Sequence, residues 1–194
     1  MDEKPEVQTE TQQKKPQETS EALDWIQSIV ASLIFCILLF TFAVRTVGVV
    51  GSSMVPTLTE GDRLIISKLF YEPKYGDIVV LRKQEFKDDP IIKRVIATEG
   101  QTVDIDFDAG IVYVDGTALD EPYVNELVHK EEDFTEPVTV PEGCVFVMGD
   151  NRNASTDSRC AQISCVDTRL IMGKAYCRLI PLNRFGGVYK NFKR

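Results

Sequence analysis

The sequence predicts a mainly β protein in which a single N-terminal transmembrane helix precedes an antiparallel β-sheet domain with an inserted β-rich subdomain. Three observations lead to this prediction: a long uncharged run near the N-terminus, a series of short β-branched runs after it, and a strongly acidic segment among those runs. With 194 residues, 43% of them hydrophobic, the chain suffices for one sizeable domain with an insertion. Its net charge of −8 argues against nucleic acid as a partner.

The N-terminal region divides into a tail and a span. Residues 1–24 carry seven acidic and three basic side chains without apolar periodicity, a composition typical of a disordered tail. Residues 25–44 carry no charge, and as a helix they extend over roughly 30 Å, the thickness of a bilayer core. The alternatives are a buried helix of a soluble domain and a cleaved signal peptide, whose apolar core is shorter. We expect a retained membrane anchor.

After the span, β-branched runs lie between Gly, Pro and Asp turns, and no second strong helix is evident. Two of these runs, Thr102–Phe107 and Ile111–Val114, lie on either side of the sequence DAG and are typical of a hairpin. The expected strands are Arg63–Ser67, Asp77–Arg82, Ile91–Thr98, Thr102–Phe107, Ile111–Val114 and Cys144–Met148.

Charge separates these strands into two groups. Residues 101–143 contain twelve acidic side chains and a single basic one, Lys130. Residues 45–100 and 144–194 together contain eleven acidic and eighteen basic side chains. We interpret 101–143 as an acidic inserted subdomain that interrupts a basic β core, although the acids are equally compatible with an ordinary solvated face.

The segment GSSMVPTL, residues 51–58, follows the span and places a serine on a short loop that Pro56 stiffens. Ser53 in this position is a candidate nucleophile. Gly, Ser and Pro are also the residues of any surface turn, so the segment needs partners to be functional.

Lys93 stands in the apolar run IIKRVIA beside Arg94. Neighbouring residues of a strand point to opposite faces, so one of the two basic side chains faces inward. If that residue is Lys93, burial can lower the pKa of its amine by up to about 3 to 5 units. A buried lysine can therefore accept a proton, whereas a solvated one near neutral pH cannot.

The segment GDNRNASTDSR, residues 149–159, directly follows the strand that ends at Met148. Its dense Asp, Asn, Arg and Ser side chains are typical of a structural loop held by its own hydrogen bonds. They also allow Ser155 to hydrogen-bond Lys93 and fix its direction, with Asp157 and Arg159 as a supporting pair.

Together these stretches resemble the bacterial type I signal peptidases, or leader peptidases: membrane-bound serine proteases with a Ser-Lys dyad that remove signal peptides from exported proteins. The resemblance covers most of residues 45–180. Its motifs, in order behind one span, are SMVPTL, GDRLIISK, GDIVV, KRVIA and GDNRNASTDSR.

The resemblance implies a role for each matching residue. Ser53 is the nucleophile, Lys93 the general base, and Met54 shapes the substrate cleft. Dyad and oxyanion support come from Gly51, Ser155, Asp157 and Arg159. Some members carry a serine where this chain has Gly51, so the oxyanion must rely on backbone donors, chiefly the Ser53 amide.

The resemblance also implies partners and location. The substrates are exported preproteins with small residues at positions −1 and −3 of the signal peptide, and the other partner is membrane lipid. The site lies outside the cell membrane with the tail in the cytoplasm, although the counts of flanking Lys and Arg do not favour this orientation. Lys190, Lys193 and Arg194 could touch anionic lipid, although a solvated terminus is the simpler interpretation.

Other residues carry less information. The single histidine, His129, lies in an acidic run and is expected on the surface. Five cysteines define no framework; Cys160 and Cys165 are the most local pair, and without CxxC spacing no metal or cofactor is expected. The chain departs from the family's pattern at residues 160–162, which suggests an unusual path after Arg159.

Two rival functions remain at this point. A self-cleaving Ser-Lys protease is disfavoured by the apolar run and the missing DNA-binding half. A non-catalytic, membrane-tethered β domain for binding or assembly is disfavoured by the presence of both Ser53 and Lys93.

Overall fold

The computed structural model describes residues 17–83 and 89–189. Within them the chain forms one α-helix and twelve β-strands, with 3₁₀ turns at Arg152–Ala154, Thr168–Leu170 and Leu182–Arg184. The elements are α1 (Gln17–Ala43), β1 (Arg45–Gly48), β2 (Arg63–Ser67), β3 (Ile78–Leu81), β4 (Ile91–Thr98), β5 (Thr102–Asp106), β6 (Ile111–Val114), β7 (Thr117–Ala118), β8 (Val138–Thr139), β9 (Cys144–Met148), β10 (Val166–Asp167), β11 (Ile171–Ile180) and β12 (Gly186–Gly187). The chain divides between residues 41 and 42 into two compact units.

Helix α1 begins at Gln17, eight residues before the expected start of the span. The prediction of a disordered tail is therefore wrong for residues 17–24, while residues 1–16 lie outside the described residues. Gln, Glu, Ala and Leu favour helix, and acidic side chains stabilise the N-terminal turns of a helix. Within the described parts of the chain, no helix has both the length and the apolar character needed to cross a membrane, so the predicted transmembrane helix is not confirmed.

Residues after α1 are mainly β, as expected, and every strand pair is antiparallel. The larger sheet has the strand order β1-β2-β11-β3-β4-β9-β10, with β12 paired to β11. Four expected strands, β2, β4, β6 and β9, have the bounds that the sequence predicted, and β3 and β5 are shorter than predicted.

The longest strand, β11, was not predicted from the sequence. It pairs with β2 on one side and with β3 on the other, and so completes the middle of the larger sheet. Its pairing with β2 shifts register between Ala175 and Cys177 and again between Arg178 and Ile180. Such shifts interrupt the two-residue alternation of side chains by which a strand is recognised in sequence.

The larger sheet buries side chains on both of its faces. In β3, Ile78 and Val80 pack into one apolar cluster, and Val79 and Leu81 into another. All four side chains are fully buried. Because successive residues of a strand face opposite ways, apolar layers on both sides of β3 account for its continuous apolar sequence.

A second sheet, with strand order β7-β6-β5-β8, lies within residues 101–143. Its inward side chains share an apolar cluster with β4 and β9, in which Phe134 packs edge-on against Phe146 at 6.1 Å between ring centroids. The segment 101–143 is thereby packed onto β4, which contains Lys93, and onto β9, which Gly149 directly follows.

Strand β4 buries both of its basic side chains, whereas we expected only one of the pair to face inward. Lys93 is 4% exposed and Arg94 is 1% exposed. The side chains leave the strand on opposite faces, and protein covers both faces. The expectation assumed a sheet with one solvated face, which this central strand does not have.

Candidate active site

Ser53 lies in the turn that follows β1. Gly51 has a φ of +85°, a left-handed conformation that glycine adopts readily, and it starts this turn. The Leu58 amide donates to the Met54 carbonyl at 2.8 Å and closes the turn. The side chains of Met54 and Leu58 are buried in the core, so apolar packing holds the loop that carries Ser53.

Ser53 and Lys93 line the same cleft. The cleft contains about 380 Å³ of empty space, including part that is open to solvent. One wall comes from the residues that follow β1, including the Ser53 turn, and the other from the start of β4 and the proline before it. The lining residues are Val49, Val50, Gly51, Ser53 and Met54 on the first wall, and Pro90, Ile91, Ile92 and Lys93 on the second.

The Lys93 amine is held by Ser155, as the sequence predicted: Nζ donates to Oγ at 3.1 Å. Burial lowers the pKa of Lys93 from 10.5 to about 8. The Asp157 carboxylate opposes this decrease, and the Arg159 guanidinium adds to it. Near neutral pH a fraction of this amine is therefore uncharged and able to accept a proton.

Asp157 and Arg159 form a fully buried ion pair next to this lysine. Arg159 donates to the two carboxylate oxygens at 2.8 and 2.9 Å, and the Gly149 amide adds a bond of 3.0 Å. Burial alone raises the pKa of Asp157, but the hydrogen bonds and charge of Arg159 hold it below the usual value. The charged form of the carboxylate is thus favoured, and its bonds fix the loop bearing Ser155.

Gly149 brings the two serines together. A Cβ atom on Gly149 would lie 2.5 Å from the Ser53 carbonyl oxygen and closer still to the Ser155 hydroxyl. No side chain fits there, so glycine is required for the Ser53 turn and the Ser155 loop to approach each other.

The two residues after Gly149 also hold the Ser53 turn. The Asn151 backbone amide donates to the Ser53 carbonyl at 3.0 Å, and its side-chain amide donates to the Ser52 carbonyl at 3.1 Å. Asp150 accepts from the Thr57 hydroxyl at 2.5 Å. Both sides of the turn are therefore tied to the loop that follows β9.

Arg94 completes this arrangement from the other face of β4. Its guanidinium forms two bonds with the Asp150 carboxylate, at 2.7 and 2.6 Å, and one with the Gly76 carbonyl at 2.8 Å. It also stacks on Tyr123 of the segment 101–143, with 3.9 Å to the ring centroid. Arg94 is a buried cation with a structural role beside the titratable amine of Lys93.

Residues 22–180 match the family described as signal peptidase, peptidase S26. The chain belongs to this signal peptidase family. As a member of the peptidase S26 family, the protein is a serine endopeptidase.

Similar proteins extend over most of the chain. The probable signal peptidase I-1 of Synechocystis sp. is 38% identical over 172 residues, which cover 83% of this chain and 84% of that protein. Signal peptidase I of Bacillus licheniformis is 34% identical, with coverage of 89% and 96%. A crystal structure of a signal peptidase I from Enterococcus faecalis V583 aligns with 30% identity and a TM-score of 0.43, over 54% of this chain and 97% of that one.

The signal peptidase motifs bring most of the expected residues together. Gly51, Ser53, Met54 and Lys93 line one cleft. The predicted bond from Lys93 to Ser155 and the predicted pair of Asp157 with Arg159 are both present.

Sequence reasoning missed the residues that join the three motifs to one another: Gly149, Asp150, Asn151 and Arg94. All four lie inside the quoted motifs, so the sequence located them without indicating their partners. The only indication in the sequence was the dense polar composition of residues 149–159, which predicts a loop held by its own hydrogen bonds. Their partners are far away in the chain and are defined only by tertiary packing.

Other residues of the signal peptidase domain are placed as follows. His129 is exposed, as expected, and its Nδ1 lies 2.7 Å from the Phe107 carbonyl oxygen. All five cysteines are free, so the pair that the sequence allowed, Cys160 with Cys165, is not formed. Lys190, Lys193 and Arg194 lie outside the described residues. Among residues 17–83 and 89–189, no group of three or more His, Cys, Asp or Glu side chains could hold a metal ion.

Proposed function

We propose that this protein removes N-terminal signal peptides from exported preproteins by acyl transfer, with Ser53 as nucleophile and Lys93 as general base. The observation that carries the proposal is the buried Lys93 amine, held by Ser155 in a cleft that Ser53 also lines. A nucleophilic hydroxyl needs a nearby base that is uncharged at the working pH, and burial provides one here.

In the proposed reaction, Lys93 carries the Ser53 hydroxyl proton to the leaving amine. Uncharged Lys93 takes the Ser53 hydroxyl proton as Oγ bonds to the scissile carbonyl carbon. The resulting ammonium protonates the amine of the departing mature protein as the peptide bond breaks. Water then attacks the ester between Ser53 and the signal peptide and releases both. With a pKa of about 8, roughly one lysine in ten is uncharged at pH 7.

The oxyanion of the tetrahedral intermediate requires donors that are fixed before the reaction. We assign this role to backbone amides of the turn from Gly51 to Ser53, chiefly the Ser53 amide. The bonds from Asn151 to the Ser52 and Ser53 carbonyls support the assignment, because they fix the orientation of these peptide units. Loss of one oxyanion donor typically costs about 10²- to 10³-fold in rate.

The substrate is an extended peptide with small side chains at positions −1 and −3. Alternate residues of an extended peptide face the same way, so these two side chains point to one wall of the cleft. Buried Met54 lies in the first wall and the start of β4 forms the second, and the cleft between them leaves limited space. This geometry favours small residues next to the cleaved bond.

The proposal includes attachment to the bacterial cell membrane through α1, with the N-terminus in the cytoplasm and the catalytic domain outside. Large apolar side chains of α1 are exposed over more than three turns, among them Trp25, Ile29, Leu33 and Phe35. An exposed apolar helix surface of this extent is typical of contact with a membrane or a protein. Flotation with lipid vesicles tests the attachment, and a chain with Ile29→Asp and Leu33→Asp that floats as well as the wild type contradicts it.

The central experiment compares preprotein cleavage by the wild type with three variants. Ser53→Ala removes the nucleophile and Lys93→Met removes the base, and in a serine protease such changes lower kcat by up to about 10⁶-fold. Ser52→Ala is the matched control, because its exposed hydroxyl has no role in the scheme. Retained cleavage by either dyad variant refutes the proposal.

A further inference from the structure

Glu132 has an unusual environment for a residue of the acidic segment 101–143. Its side chain is only 8% exposed, and its backbone φ is +55°. Oε1 accepts a bond from the Lys130 amine at 2.9 Å. Oε2 is buried and has no hydrogen-bond partner among the described residues.

The residues on either side of Glu132 bind Arg159. The Arg159 guanidinium donates a hydrogen bond to the Lys130 carbonyl at 2.7 Å. The Asp133 backbone amide donates to the Arg159 carbonyl at 3.3 Å. Arg159 in turn lies 3.4 Å from the carbonyl oxygen of Ser155, whose hydroxyl binds Lys93. These contacts bring Glu132 to the buried charges around the lysine.

We propose that Glu132 is a positioning residue of the active site, whose buried carboxylate stabilises the ammonium form of Lys93. The inference rests on the proposed function, because it assigns Glu132 an effect on the proposed base. The ammonium is the form that donates a proton to the leaving amine, so Glu132 acts on the second half of the proton transfer.

Four charged side chains among the described residues act on the pKa of Lys93: the carboxylates of Asp157, Glu132 and Asp150 raise it, and the guanidinium of Arg159 lowers it. Asp157 is paired with buried Arg159, and Asp150 with buried Arg94.

Glu132 differs from the other two carboxylates in its partner. Lys130 is 47% exposed, so water screens its charge and it neutralises Glu132 incompletely. Of the three carboxylates, Glu132 therefore has the least compensated charge. A buried charge interacts strongly across the protein interior, and its effect extends to the Lys93 ammonium.

The environment of Glu132 lowers the stability of the folded protein. A buried carboxylate oxygen without a partner loses its hydration, and a non-glycine residue at positive φ is strained. Such features occur preferentially at functional sites, and here both occur in one residue of the segment that binds Arg159.

The test replaces Glu132 by Gln, which keeps the shape of the side chain and removes its charge. We expect the pKa of Lys93 to decrease, so the acid limb of kcat/KM moves to lower pH by roughly half a unit or more. The same shift is expected in the pH titration of the ¹³Cε resonance of Lys93, assigned by its loss in Lys93→Met. A merely structural role lowers activity without moving either midpoint.

Two further variants serve as a control and as a change in the opposite direction. Glu131→Gln removes the charge of the exposed neighbour and is expected to leave both midpoints unchanged. Lys130→Met removes the partial neutralisation of Glu132 and should move both midpoints to higher pH. If Glu132→Gln does not fold, the Lys130→Met shift decides the question, and its absence overturns the proposal.

The outcomes separate this inference from the proposed function. The lysine resonance reports protonation without any turnover. A folded Glu132→Gln chain with an unchanged Lys93 midpoint, or one moved upward, refutes the role of Glu132 even if Ser53→Ala and Lys93→Met are inactive. Cleavage retained by those two variants refutes the dyad whatever Glu132 does.

Discussion

Lys93 and Arg94 are adjacent on β4, both are buried, and their surroundings give them opposite chemistry. Lys93 is hydrogen-bonded to a neutral hydroxyl, that of Ser155, and its pKa is lowered to about 8. Arg94 is held by both oxygens of Asp150, and although burial opposes it, this carboxylate raises its pKa. One site can lose its proton near neutral pH, and the other cannot.

The difference shows that burial alone does not make a base. Burial destabilises both cations, but a directly bonded carboxylate restores the charge of Arg94, whereas Asp157, the carboxylate with the largest effect on Lys93, is bonded to Arg159. The protein thus combines a fixed charge that ties the motifs together with a removable proton that can serve catalysis.

The largest effect is expected when Lys93 is replaced by arginine, the residue that stands at position 94. Lys93→Arg keeps a cation but cannot deprotonate in the range where proteins work. We expect kcat/KM to fall by about 10²- to 10⁴-fold, the usual contribution of a general base. Preprotein cleavage measured from pH 7 to 10 checks this, and cleavage at the wild-type rate at pH 9 excludes Lys93 as the base.

The reverse experiment removes each cation and measures stability. Arg94→Met leaves Asp150 buried without its main partner, which typically costs about 3–5 kcal/mol. Lys93→Met removes a buried cation that has no directly bonded carboxylate, so we expect little loss or a gain. Urea unfolding of both variants gives the comparison. Equal losses would mean that Lys93 is a structural cation like its neighbour.

Ser155 sharpens the comparison, because it is the neutral partner of Lys93. Ser155→Ala leaves the buried amine without an acceptor, an effect of about 1–3 kcal/mol. We expect kcat/KM to decrease by roughly 10- to 100-fold while the protein stays folded. Thr156→Ala, which changes the neighbouring hydroxyl, is the control. A similar decrease in both variants would point to a general loop effect.

The smallest predicted effect is the pH dependence of the wild type. Its working form is uncharged Lys93, so activity increases as pH rises and levels off above the pKa of about 8. Between pH 7 and 8, kcat/KM should increase roughly fivefold. The pH profile of kcat/KM in excess buffer measures this. A profile that is flat from pH 6 to 9 contradicts the low pKa of Lys93.

Several features were predictable from local sequence. β2, β4, β6 and β9 were found with their bounds because their β-branched runs are flanked by turn residues. Ser53, Lys93 and Ser155 were candidates because the ordered motifs of the family carry them, and the structure places Ser53 and Lys93 on one cleft with Ser155 bonded to Lys93. The strands β1 and β11 were missed, the first for its short, mostly exposed sequence at the sheet edge and the second for its register shifts.

By itself the sequence determined that this is a mainly β serine peptidase of the signal peptidase family, and which residues are its candidate nucleophile and base. Only the tertiary structure decided that both basic residues of β4 are buried, that Gly149 lets Ser53 and Ser155 approach, and that a carboxylate oxygen of Glu132 is buried without a hydrogen-bond partner among the described residues. The physical reason is that a pKa depends on what surrounds a group in space. Those surroundings come from segments that are distant in the chain.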